Sequence, residues 1–264
     1  MYITLLQAVF AIISGVLVGF SLGLIGGGGS ILAIPLLIYF VGIDNPHLVI
    51  GTTALAVGIN SIINVYSHLR RKNVALKIGS IFTVFGVLGV LVGTTLGLLT
   101  PGGKLLFIFS FLMIGIGFYM LLTRCRRANA TPDSKSPAEE KINVPKTSFF
   151  GLLAGFTSGY FGIGGGFLIV PSLLYSSDLT MTLAVGTSLL SVGTFGIVTA
   201  IRYGIAGQVL VPIAILYVIG GIFGGMFGAR LSTSMDRSTL RRFFSIIVIA
   251  VGVYMAIKYY GTFF

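Results

Sequence analysis

Few side chains in this sequence can do acid–base, nucleophilic or metal chemistry, and their placement narrows what chemistry is open. The six carboxylates are Asp44, Asp133, Asp178, Asp236, Glu139 and Glu140, and none lies in the middle of an apolar segment. Cation transporters, acidic proton relays and intramembrane metalloenzymes usually need an embedded carboxylate, so no metal or carboxylate-built cation site is expected. The two histidines stand in no distinctive motif, and a Ser–His arrangement through His68 and Ser188 has no further support. Cys125 is alone beside Arg124 and supports neither a disulfide framework nor a thiol site. An enzyme is not expected, nor a cofactor.

What the chain offers instead is glycine, hydroxyl and amide, each in duplicate. Gly26, Gly27, Gly28, Gly29 and Ser30 stand just before one short apolar segment, and Gly162, Gly164, Gly165 and Gly166 just before another. A glycine-rich turn that enters a helix presents unpaired N–H groups at the positive end of its dipole, an arrangement suited to an anion. Inside a membrane such donors face little competition from water. Soluble nucleotide fingerprints are not met: Phe167 stands where the third glycine of a dinucleotide loop belongs, and no Gly-Lys-Ser/Thr follows either cluster. Consecutive glycines do not share a helix face, so packing alone explains Gly26–Gly29 less well than it explains Gly15, Gly19 and Gly23.

The remaining polar groups sit on the next segment of each half. Thr53, Asn60, Asn64 and His68 follow spacings of one helical stripe, with Thr52 beside them. Thr187, Ser188, Ser191, Thr194, Thr199 and Arg202 occupy the corresponding stretch of the second half. Amides and hydroxyls can hold an oxoanion or a neighbouring helix, and Arg202, near a helix end, can face the path or snorkel to the interface. Asn60 pairs with Phe195 and His68 with Tyr203, so one asymmetric site is expected rather than two equal ones.

These groups must be positioned by membrane helices. The chain of 264 residues is 55% hydrophobic and 9% charged, with a mean hydropathy of +1.04, which is too apolar for a soluble domain. Uncharged runs such as Met1 to Ile43, Ile78 to Gly103 and Leu105 to Thr123 exceed the length needed to cross a bilayer. They do not alternate as barrel strands would. The expected fold is an all-α polytopic membrane protein of the cell inner (plasma) membrane. The N-terminus lacks a basic region and a cleavage site, so the first helix is expected to stay inserted. The net charge of +11 is gathered into clusters between apolar segments, namely Arg70 to Lys77, Arg124 to Arg127 and Arg230 to Arg242. That is the positive-inside pattern, with lipid headgroups as partners and no nucleic acid.

The chain also repeats itself. Gly15, Gly19, Phe20 and Gly23 align without a gap on Gly151, Gly155, Phe156 and Gly159, and the register runs on to Pro35 and Pro171. After one dropped residue, Gly51-Thr52-Thr53 aligns on Gly186-Thr187-Ser188, and the match continues to Tyr119-Met120 and Tyr254-Met255. Residues 1–123 form a first membrane repeat, 124–146 a polar cytoplasmic linker and 147–264 a second repeat. Apolar segments are predicted at 3–24, 30–42, 48–69, 78–100 and 104–123, then at 147–161, 166–177, 181–203, 208–231 and 239–260. The second segment of each repeat is about 12 residues, roughly 18 Å of helix against about 30 Å of hydrocarbon. It is predicted to be a broken half-helix that Pro35 or Pro171 starts or interrupts. An odd number of crossings per repeat inverts the second copy, and basic-residue bias favours that arrangement.

The two glycine signatures, each followed by proline, together with Gly-Thr-Thr and Gly-Thr-Ser, resemble the TauE/SafE sulfite-exporter family of anion permeases (the TSUP family). The resemblance spans nearly the whole chain and carries over to Gly23, Gly26, Gly28, Gly29 and Pro35, and to Gly159, Gly162, Gly164, Gly165 and Pro171. Ile163 breaks the second run where the first has Gly27. The family implies transport of sulfite, sulfoacetate or related sulfonates. Export along the potential needs no coupling ion, since one outward negative charge releases about 2.3 kcal/mol per 100 mV. Uptake is the alternative and would need a coupled Na⁺ or proton; a non-transporting membrane scaffold is a third reading. Oligomeric state leaves no mark in such a sequence.

Overall fold

The computed structural model describes residues 4–25, 27–70, 72–122, 143–164, 166–177, 179–231 and 237–262. The apolar runs become helices: α1 Leu5–Ile25, α3 Pro46–Arg70, α4 Leu76–Leu99, α5 Gly102–Leu122, α6 Val144–Phe161, α8 Met181–Ile205, α9 Val211–Leu231 and α10 Arg237–Tyr259. Between them lie two short helices. α7 is Gly166–Ser176. Its counterpart is a composite that we label α2, a 3-10 stretch Gly27–Leu32, one α turn Ala33–Pro35 and a π turn Leu36–Phe40. Among the described residues seven helices are long and apolar enough to span a membrane. The fold is all-α and multi-pass.

Of the two places expected for the prolines, start or interruption, the structure has the second. Pro35 and Pro171 sit within the short helices, not at their starts. In α2 the missing proline N–H is followed by the wider π turn, which closes with the Val41 N–H donating to the Leu36 carbonyl at 3.1 Å. The linker boundary also shifts, because α6 begins at Val144, capped by the Asn143 side chain accepting from the Lys146 N–H at 3.2 Å. Most of the predicted linker lies outside the described residues.

Glycine decides how the long helices meet. A Cβ on Gly19 would run into the backbone of Gly221, and one on Gly155 into the backbone of Gly86, so α1 lies against α9 and α6 against α4 at backbone distance. Contacts climb together along both pairs: Gly15 meets Tyr217 and Gly19 meets Gly221, just as Gly151 meets Phe82 and Gly155 meets Gly86. Both pairs are therefore parallel. α3 and α8 run antiparallel, with Gly58 on Gly196, Gly193 on Ile62 and Gly186 on Asn73. α5 and α10 are antiparallel too, since Gly117 meets Ser245 and Ile249 while Gly252 meets Ser110 and Ile114. Every one of these contacts pairs off under the register of the sequence duplication.

The centre belongs to α3 and α8, in each of which 67% of the apolar window is buried, against 28% for α10. Outward faces carry Leu88, Val92, Phe111, Phe223 and Ile257, all exposed, as a lipid-facing surface requires.

Candidate functional site

α1 and α2 form a hairpin, as do α6 and α7. Phe10, early on α1, meets Phe40 at the end of α2, with ring centroids 4.5 Å apart. Phe150 on α6 meets Tyr175 on α7 at 5.3 Å. The tips of these hairpins are the two glycine clusters. In the second, Gly162 caps α6 with φ +66°, its N–H donating to the Ser158 carbonyl at 2.8 Å, and Gly164 repeats the left-handed conformation at φ +68°. Both angles favour glycine over any residue with a Cβ.

The tips converge inside the protein. The 3-10 start of α2 packs on α7 and also touches α8. A Cβ on Gly164 would sit 2.9 Å from Val192 of α8 and 3.3 Å from Val57 of α3, beside the mid-helix crossing of those two helices. Irregular backbone is tolerated at membrane depth only where protein encloses it. Here Ile31, Ile34 and Leu37 of α2 and Ile169 and Leu173 of α7 are fully buried. The first four N–H groups of a helix have no intrahelical acceptor, and in α7 they belong to Gly166, Phe167, Leu168 and Ile169.

The predicted site residues divide. Thr53 reaches the second tip, its hydroxyl within 3.4 Å of the Gly162 carbonyl while also bonding Val49 and Ile50 at 2.9 Å. Ser30 is fully buried in the first stretch of α2. Ser188 donates to the Val185 carbonyl at 2.8 Å. Thr52 and Thr187 each reach a helix start of the other repeat: the Leu210 N–H donates to Thr52 Oγ1 at 3.0 Å and the Ala75 N–H to Thr187 Oγ1 at 2.9 Å. These matched bonds satisfy an orphan amide before α9 and before α4. Asn60 lays its amide on Gly221 of α9, and Asn64 donates from Nδ2 to the Asn60 carbonyl at 2.9 Å. Arg202 is not brought to the tips. It lies ten residues beyond Val192, about 15 Å along α8, and donates to Thr95 Oγ1 at 2.9 Å. Gly27, Gly28 and Gly29 lie in the 3-10 start of α2, whereas Gly26 and Gly165 fall outside the described residues.

Thr147 Oγ1, Ser158 Oγ, Thr199 Oγ1 and Tyr203 Oη are buried without a hydrogen-bond partner, and so are Oδ1 of Asn60 and, not singled out from the sequence, Ser14 Oγ, Ser61 Oγ and Tyr217 Oη. Leaving such a group unmade costs about 1–3 kcal/mol. Repeat alignment holds the signal that would have found Ser14 and Tyr217, since Ser14 faces Phe150 and Tyr217 faces Phe82 across the duplication.

The sequence model described as Sulfite exporter TauE/SafE matches residues 11–255. The chain belongs to the TauE/SafE family. A probable membrane transporter protein of Xylella fastidiosa is 43% identical over 255 residues, covering 96% of each chain. Another from Methanocaldococcus jannaschii is 30% identical over 261 residues, covering 91% of this chain and 93% of that one. One from Bacillus subtilis is 26% identical, covering 92% and 95%. No solved structure matches the chain. This TauE/SafE protein is thus a multi-pass membrane transporter.

Proposed function

We propose that this transporter exports sulfur-containing or organic anions such as sulfite, sulfoacetate or sulfonates, held near mid-membrane by the two glycine tips. The observation that carries this reading is that the start of α2 packs on α7 and touches α8, while Gly164 of the second tip sits between Val57 of α3 and Val192 of α8. A helix start with bare backbone offers N–H donors to an anion. Thr53, Asn60 and Asn64, on the α3 face beside the second tip, would line the path. The absence of a carboxylate from the middle of the apolar segments suits a passive exporter driven by the membrane potential.

The two copies are, in our reading, inverted repeats. Antiparallel packing of α3 on its own counterpart α8, and of α5 on α10, supports an axis lying in the membrane plane. With that arrangement the start of α1 and the end of α10 share one face. Lys104, Arg202 and Lys258 share it, and the clusters Arg70–Lys77 and Arg230–Arg242 stand on the other. Positive-inside bias then places both termini outside. A C-terminal reporter is expected to be non-cytoplasmic, and a cytoplasmic signal would refute the inversion.

The functional test is anion flux into liposomes holding the purified chain, comparing sulfite, sulfoacetate, sulfate and thiosulfate. Flux of the sulfur anions is expected. No flux of any anion from folded protein would refute the assignment. Flux that requires a Na⁺ or proton gradient would replace the exporter with a coupled importer.

A further inference from the structure

The duplication is chemically lopsided where α1, α3 and α9 meet. There Gly19 touches Gly221, the Asn60 amide lies on Gly221, and the Asn64 amide comes within 3.8 Å of where a Gly225 Cβ would stand. Tyr217 is one turn before Gly221 on α9, and the Ser14–Gly15 pair is at its level on α1, because Gly15 abuts the Tyr217 backbone. In the corresponding junction of α6, α8 and α4 aromatic rings take three of these places, beside Thr199 at the position of Asn64, a buried hydroxyl without a partner. Phe195 replaces Asn60 and presses on Gly86, Phe82 replaces Tyr217 and stacks on Phe195 at 6.5 Å and 24°, and Phe150 replaces Ser14. One junction is filled with stacked rings. The other holds Ser14 Oγ, Asn60 Oδ1 and Tyr217 Oη, all on residues at least 96% buried and all without a partner.

Helices that only pack would bond such polar atoms to each other or replace them with carbon, as the second copy does at Phe82, Phe150 and Phe195. We propose, building on the transport function above and narrowing the substrates named there, that the α1–α3–α9 junction is a second station for the anion beyond the glycine tips, and that it accepts singly charged oxoanions such as hydrogensulfite and monosulfonates and rejects dianions, sulfoacetate with its added carboxylate among them. The two hydroxyls can donate to oxoanion oxygens, and the Asn60 amide offers both a donor and an acceptor. Among the described residues, no titratable side chain other than Tyr217 belongs to the junction. Uncharged donors can compensate the dehydration of one charge, but dehydration rises with the square of the charge and a dianion finds no cation there to offset it. Asn60 is one turn past Val57, which touches the second tip, so the station lies directly along α3 from the glycines.

The test uses the full chain in liposomes with two anions whose charge is fixed, methanesulfonate and sulfate. Methanesulfonate flux is expected to exceed sulfate flux at least about tenfold. Tyr217→Phe and Asn60→Leu keep the shape of the site and are each expected to raise the KM for methanesulfonate about tenfold, the weight of one hydrogen bond to a charged group. Ser110→Ala on α5, a buried hydroxyl bonded within its own helix to the Phe107 carbonyl, is expected to leave KM unchanged. Melting temperature with and without methanesulfonate reports both folding and binding: wild type is expected to be stabilised by the ligand, and the two site variants to fold but lose that shift. Unchanged KM in both site variants, with wild-type flux intact, would overturn this station and leave the transporter standing. Equal flux of sulfate would overturn the charge selection. No flux in folded wild type would overturn the transport function itself.

Discussion

Three glycines with left-handed backbone allow the snugness of the second tip to be weighed. Gly164 has φ +68°, Gly207 +70° and Gly42 +77°. Alanine at any of them must adopt a conformation costing about 1–2 kcal/mol. A Cβ on Gly207 or Gly42 meets nothing within 4 Å, so that conformational cost is all that is expected there. At Gly164 the new methyl stands 2.9 Å from Val192 Cγ1 and 3.3 Å from Val57 Cγ1, where carbon pairs prefer about 3.5–4.0 Å. Overpacking of that size adds about 1–3 kcal/mol. Gly164→Ala should therefore destabilise by about 2–5 kcal/mol, and Gly207→Ala by about 1–2 kcal/mol. The assay is thermal unfolding of the three purified variants in one detergent, followed by sulfite flux in liposomes well below the lowest midpoint. The expected order is Gly164→Ala below Gly207→Ala and Gly42→Ala, with flux lost only in the first. Equal midpoints with full flux in Gly164→Ala would refute the claim that this tip is closely held between α3 and α8.

Thr52→Val and Thr187→Val strip the acceptor from an amide at a helix start, so each should lower stability by about 1–3 kcal/mol with KM unchanged, as read by unfolding and flux. Gly19→Leu and Gly155→Leu, at matched crossings of the two repeats, should both abolish a monodisperse peak in detergent chromatography. Gly115→Leu, whose Cβ meets nothing within 4 Å, should not. Arg202→Gln removes an exposed bond to Thr95 and should shift melting slightly while leaving KM unchanged in the same flux assay. A large rise in KM would move the path to that end of α8.

The ten elements were legible because membrane helices announce themselves by length, and α7 spans 166–176 where 166–177 was predicted. Both half-helices could be foreseen from 12 apolar residues that are too few to cross. The roles of individual hydroxyls could not. Thr52 and Thr53 are adjacent and alike in sequence, yet one accepts from an amide before α9 and the other approaches the Gly162 carbonyl. The difference is 100° of helix rotation, set by which neighbour lies on each side. Pro35 and Pro171 could start or interrupt the short helices by local rules alone, and the structure shows them inside, with each helix entered earlier at glycine. Ser14 is not marked by its own surroundings in the sequence, because its significance lies in Phe150, its counterpart 136 places on in the chain.

The glycine crossings also set the order in which the molecule can be made. The four most extensive helix pairings among the described residues, α1 with α9, α4 with α6, α3 with α8 and α5 with α10, all join the first half of the chain to the second. A first half of the chain leaving the ribosome has no partner for the grooves of α1 and α4, and its buried side of α3 has nothing to lie on. Those helices must wait in lipid until α6 arrives, and α1 must wait longer, for α9. Assembly is thus bound to completion of the chain, and a protein truncated after α5 would be half of a clasp with nothing to close on.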